Sequence, residues 1–164
     1  MKILVPVDGS MAALAPILQL TKSFPSEVEI LLLNVQPSFH GRIPRFSSRA
    51  ARDGLRAERS RDAMARAIEE LSVCGLPFRA LTEVGRPAER IAAVAEREAV
   101  DAIMMGVGRH PAWLRWVNPS IAQGVMERTD IPVTVFARGH AGVIERYAVP
   151  VGVAGLAALL LTVE

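Results

Sequence analysis

Two short stretches of the chain carry residues whose types and spacing could do chemistry. One is Asp8-Gly9-Ser10, directly after the apolar run KILVPV; the other is MMGVGRHPAWLRWVNPSIAQGVM, Met104 to Met126. The second leaves an apolar run at Gly106, crosses a loop containing Gly108, Arg109 and His110, and enters a helical pattern at Asn118, Pro119 and Ser120. Such a layout suits a phosphate group: glycine lets backbone N–H groups come close to anionic oxygens, and a helix start offers unsatisfied donors at its positive end. Arg109 and His110 add cations to the loop. Asp8 has two readings, a contact to the sugar or base of a ligand, or a cap that closes the turn into the first helix. Ser120 likewise reads as a phosphate contact or as a first-turn helix residue.

Other chemistries find little support. His40, His110 and His140 lie far apart with no metal-ligand spacing, which gives no metal site. No paired carboxylates and no Ser-His-Asp or Cys-His set stand at expected strand ends, so no catalytic residues are assigned. The single cysteine, Cys74, cannot form an intrachain disulfide and reads as a small apolar residue. Net charge is only +2, with 19 basic against 17 acidic residues, which gives no ground for a nucleic-acid partner. The opening apolar run is broken early by Pro6 and Asp8, too soon for a signal peptide, and the expected location is cytoplasmic.

Strand-like and helix-like segments alternate and must position these loops. KILVPV, EVEILLLNV, FRALTEV, DAIMMG and IPVTVFA read as strands, the first two as continuous apolar runs of the kind buried on both faces. Between them, MAALAPILQLTKS reads as a helix with Leu14, Ile17, Leu18 and Thr21 near one face. Residues 47–73 form a long charged helix with Met64, Ile68 and Leu71 inward, RPAERIAAVAEREA a third with Pro87 in its first turn, and NPSIAQGVMERT a fourth. This order predicts an α/β fold: an open, doubly wound, Rossmann-like five-stranded parallel sheet. Ligands of such sheets sit beyond the carboxyl ends of the strands where strand order reverses, which brings the loops after strands one and four together.

The motifs VPVDGS, VGRPAERI (Val84 to Ile91), DAIMMG (Asp101 to Gly106) and IPVTVF, in this order and spacing over roughly residues 1–137, resemble the universal stress protein family. The resemblance implies a five-stranded α/β sandwich of the adenine nucleotide alpha hydrolase type, usually a homodimer, and in one branch an ATP site. There an Asp after the first strand contacts the adenosine, and a G-x2-G-x9-G-[ST] loop after the fourth wraps the phosphates. Carried over, the pattern places its first glycine at Gly106 and its hydroxyl at Ser120, but Arg109 and Pro119 stand at its second and third glycines. Arg109 puts a Cβ and a long side chain into the cradle, and Pro119 removes an N–H that a phosphate would have used. One lost charge-assisted hydrogen bond costs on the order of 1.5–3 kcal/mol, so with the lost close approach a micromolar site moves toward millimolar. Asp8, Gly106, Gly108, Arg109 and Ser120 are therefore candidates for a degenerate nucleotide site. The expected protein is a non-catalytic, dimeric stress-response or regulatory module without a cofactor, the alternative being an ATP-binding regulator or slow ATPase using ATP with Mg²⁺.

Two segments exceed the family's minimal plan. Arg45, Arg49, Arg52, Arg56 and Arg59 recur every three or four residues, a stripe set about 110° from the Met64-Ile68-Leu71 face and read as a solvated, ion-paired flank or as a surface for an anionic partner. After a domain spanning residues 1–138, the extension 139–164 carries no charge from Tyr147 to Val163. That stretch is at the lower limit for crossing a bilayer of ~30 Å. It reads either as an anchor at the cytoplasmic face of a membrane, with Arg138 and Arg146 preceding it, or as a segment buried in a dimer interface. The fifth strand, expected at a sheet edge, is a further reason to expect a homodimer. Contact with another protein partner is the remaining expectation.

Overall fold

The computed structural model of the chain describes residues 1–23, 28–36, 49–107, 121–137 and 144–145. The elements are β1 (Lys2–Pro6), α1 (Ala15–Ser23), β2 (Glu29–Gln36), α2 (Arg49–Val73), β3 (Phe78–Val84), α3 (Pro87–Arg97), β4 (Ala102–Val107), α4 (Ile121–Met126), β5 (Val133–Ala137) and β6 (Ile144–Glu145). They build one sheet in the order β3-β2-β1-β4-β5-β6. The first five strands are parallel, as the alternating pattern predicts, while β6 pairs antiparallel with β5 and was not expected.

The strands are apolar at consecutive positions because both faces of a parallel sheet are covered. Ile3, Val5, Ile30, Leu32 and Met104 point to one face, where they meet Ile17 and Leu20 of α1 and Met64, Ala67 and Leu71 of α2. Leu4, Leu31, Leu33, Ile103 and Met105 point to the other and meet Ile91, Val94 and Ala95 of α3 and Ala122 and Val125 of α4. The two-residue period of each strand thus feeds two cores at once. On α2 the inward face is the expected one, with Ile68 packed beside buried Met64 and Leu71. Of the arginine stripe, Arg59 is exposed and Arg56 half-buried; the side chains of Arg45, Arg49 and Arg52 lie outside the described residues.

Helix α1 departs from expectation at its start and on its face. Residues 11–14 form hydrogen-bonded turns, Ala13 N–H to Ser10 O at 3.2 Å and Ala15 N–H to Ala12 O at 3.1 Å, and the helix proper begins at Ala15. Pro16 explains the delay: proline is tolerated only in a helix's first turn, where its missing N–H costs nothing. Starting later, α1 presents Ile17 and Leu20 to the core and leaves Leu18 43% exposed.

Two helices end in related ways. After α2, Gly75 adopts φ +66° and the Leu76 N–H reaches Leu71 O at 3.1 Å. After α3, Val100 N–H reaches Ala95 O at 3.0 Å, but the left-handed residue is Ala99, at φ 49°. Both are Schellman-type closures, for which glycine is the unstrained residue. The edge strand β3 is tied to α3 by charge. Arg79 pairs with Glu98 and Arg97 with Glu83, the latter at 2.9 Å.

Ala99→Gly relieves the left-handed strain, partly offset by the freer unfolded chain, and is expected to raise stability by about 0.5–1 kcal/mol in urea denaturation. A second expectation concerns pH. The hydrogen bond from Arg79, aided by the nearby charges of Arg97 and Lys2, holds the Glu98 carboxyl below its ordinary range. A depressed carboxylate contributes stability above its unfolded pKa and loses it as pH falls through the folded value. Stability measured against pH should therefore fall less steeply on the acid side for Glu98→Gln than for the wild type.

Candidate functional site

In the order β3-β2-β1-β4-β5 the chain winds outward from β1 in one direction and then returns to build β4 and β5 in the other. The crevice beyond the carboxyl ends of β1 and β4 is therefore the switch point at which doubly wound sheets take ligands. Asp8, Gly9 and Ser10 leave β1 there, and Gly106 lies near the end of β4.

The turn after β1 is held by its own side chains. Asp8 Oδ1 accepts from the Ser10 N–H at 2.9 Å, an Asx turn, and Ser10 Oγ accepts from the Ala13 N–H at 3.3 Å. Asp8 thus fills the turn-closing role, with Oδ1 engaged in it. Gly9 has φ +82°, and a Cβ there would come within 3.2 Å of Ala63 Cα on α2. Here glycine serves both a left-handed turn and a close approach to the helix.

Gly106 is constrained still more tightly. A Cβ built on it would fall on the Ala12 carbonyl and within 2.9 Å of Ala13 Cα. The turn after β1 is therefore seated directly on β4, which brings Gly106 and the segment beginning at Asp8 together. The glycine is required by this packing whether or not a ligand binds. Gly108, Arg109 and Ser120, with Trp113, Trp116 and Pro119, lie outside the described residues.

Sequence reasoning missed a third contributor. Asn34, near the end of β2, is buried at 2% exposure; its Nδ2 donates to Val7 O at 2.8 Å, and its Oδ1 accepts from Gln36 Nε2 at 2.6 Å. The Val7 N–H in turn donates to Leu33 O at 2.8 Å. The end of β1, from which Asp8 projects, is thereby fixed by both of its backbone polar groups. The signal was present in the sequence as a polar residue interrupting the apolar run LLLNV. Ser60, also 2% exposed, shares a 2.6 Å hydrogen bond with Thr82 and ties α2 to β3.

Beside the switch point, a cavity of about 230 Å³ opens between Val7, the turn residues Gly9, Ser10, Ala13 and Leu14, and Asp62, Ala63 and Arg66 of α2. That is below the ~300–1,000 Å³ usual for small-molecule sites. Among the described residues no group of three or more His, Cys, Asp or Glu side chains is placed to hold a metal ion.

The profile of the universal stress protein family matches residues 1–137. Among solved structures, the hypothetical protein MJ0577 is 26% identical with a TM-score of 0.67, the match covering 85% of this chain and 97% of that one. A universal stress protein family protein from Arabidopsis thaliana with AMP bound is 17% identical with a TM-score of 0.62, over 85% of this chain and 92% of that one. A universal stress protein in complex with cAMP gives the same identity, 17%, and the same TM-score, 0.62, over 83% and 96%. At that identity the last two share the fold. Comparison with curated proteins finds no match.

The packing roles found here predict two losses of stability in denaturant titrations. Gly106→Ala must push the Ala12 carbonyl aside and should cost about 1–3 kcal/mol even without ligand. Asn34→Ala leaves the buried Val7 carbonyl without its donor and should cost a similar 1–3 kcal/mol. A Gly106→Ala variant as stable as the wild type would show that the turn is not seated on β4 as described.

Proposed function

The chain belongs to the universal stress protein family, and from that premise we propose that it is a non-catalytic regulatory module whose nucleotide loop is degenerate and which acts through contacts. One observation carries the reading: Arg109 and Pro119 stand where the family's phosphate loop has glycines. Gly106, the glycine that is kept, has a packing reason to be glycine, so its presence does not argue for a phosphate. Asp8 is in the same position, since its Oδ1 closes the turn after β1. On this reading ATP and Mg²⁺ are not resident, and the module's partners are another protein, a second copy, or a membrane reached through residues 147–163. The expected setting is the cytoplasm or the cytoplasmic face of a membrane. No helix among the described residues is long and apolar enough to cross a membrane, and residues 147–163 lie outside them.

A second reading, an adenine-nucleotide-binding regulator, is favoured by the relatives solved with AMP and with cAMP. In it Asp8 would meet the ribose or base, while Arg109 would reach the phosphates as a cation in place of the missing glycine approach.

Thermal unfolding of the full chain with and without millimolar ATP and Mg²⁺, beside an Arg109→Gly, Pro119→Gly double variant, separates the two. The first reading expects an unmoved wild type and a stabilised variant. Ligand at a hundredfold excess over Kd contributes ~2.7 kcal/mol, roughly 5–10 °C for a domain of this size. A saturable rise in the wild type would instead support the nucleotide regulator.

A further inference from the structure

Of the chain's six methionines, Met64, Met104 and Met105 are buried in the two cores, Met126 is half-buried, and Met1 and Met11 are exposed. Met11 is 45% exposed, in the turn between β1 and α1, and its thioether meets a cation. Arg66 of α2 donates from Nη1 to Met11 Sδ at 2.8 Å. The pair bridges the two walls of the cavity beside the switch point: Ser10 and Ala13 on one wall flank Met11 in the chain, and Asp62, Ala63 and Arg66 form the other. Directly after Met11, Ala12 and Ala13 are the backbone seated on Gly106. A thioether is a weak acceptor, so the contact gains little as it stands.

Oxidation changes that acceptor. We infer that Met11 is a modification site for an oxidant of the peroxide class, and that Arg66 is placed to hold the resulting sulfoxide. The sulfur lone pair attacks one peroxide oxygen, and an S–O bond forms as the O–O bond breaks. Sulfur gives up two electrons, the peroxide takes them, and the proton on the transferred oxygen passes to the leaving hydroxide, which departs as water. The thioether has then become a polar group whose oxygen accepts a charge-assisted hydrogen bond from the guanidinium. Both side chains are exposed, so the guanidinium has room to follow the new oxygen. The turn, already seated on β4 through Ala12, is thereby fastened to α2 as well, and the β1 wall of the switch-point crevice is held at two places. The inference rests on this contact and on exposure, and stands whether or not the domain binds a nucleotide.

The test uses the full chain in a Cys74→Ser background, which removes the exposed thiol, and hydrogen peroxide as the probe. After brief treatment, peptide mass spectrometry is expected to find one added oxygen at Met11 accumulating at least about tenfold faster than at Met64, Met104 and Met105, which oxidise only through opening of the fold. The treated chain is expected to melt about 2–4 °C higher than the untreated one. Met11→Leu and Arg66→Ala, treated alike, should lack that gain, while any effect of oxygen at Met1 or Met126 is common to all three. The inference is overturned if Met11 oxidises no faster than the buried methionines, if the treated chain melts no higher than the untreated one, or if Arg66→Ala gains as much. A second measurement needs no oxidant. Met11→Gln sets a carbonyl oxygen near the sulfur position, and it should melt above Met11→Leu when Arg66 is present and not when Arg66 is Ala; the same difference in both backgrounds would equally overturn the inference.

Discussion

A parallel sheet must hide both of its faces, and most of this domain follows from that constraint. β1 lies inside the sheet between β2 and β4, and Ile3, Leu4 and Val5 are fully buried in alternating directions. Helices are needed on each side, so α1 and α2 supply one layer and α3 and α4 the other. The crossovers that deliver them place the turn leading into α1 over the end of β4, and the fit there is close enough that position 106 has room only for hydrogen. The switch-point crevice is a product of this winding, present before any ligand is considered.

That origin changes what the site residues mean. Asp8, Ser10 and Gly106 each have a local task in the fold: closing the turn, capping it, and admitting it onto β4. Packing alone therefore accounts for these motif residues, whether or not a phosphate is bound. Arg109 and Pro119 carry more information about function because they depart from the phosphate-loop pattern.

The strands and their parallel arrangement were legible in the sequence because continuous apolar runs separated by amphipathic segments have few other folded solutions. The inward face of α2 was legible for the same reason: Met64, Ile68 and Leu71 repeat at helical spacing over a long element. The start of α1 was not. Its apolar residues are dense on every side, so periodicity does not choose a face, and Pro16 decided where the helix begins. β6 was invisible because two residues carry no period. At the site, the meeting of the loops after β1 and β4 followed from topology, but the reason for glycine at 106 depends on a backbone approach across ninety residues of chain that no local pattern encodes.

Asn34 has one more consequence. β2 reads EILLLNVQ, and its leucines are nearly interchangeable, so hydrophobicity alone would tolerate the strand sliding by two residues along β1 with every side chain still on an acceptable face. In the native register Pro6 stands opposite Leu33, and the Asn34 amide meets the Val7 carbonyl just beyond that pair. A slipped strand would carry the amide away from that carbonyl and strand a buried polar group. One side chain thus acts as a vernier mark on an otherwise unmarked ruler, giving a greasy central strand a unique alignment.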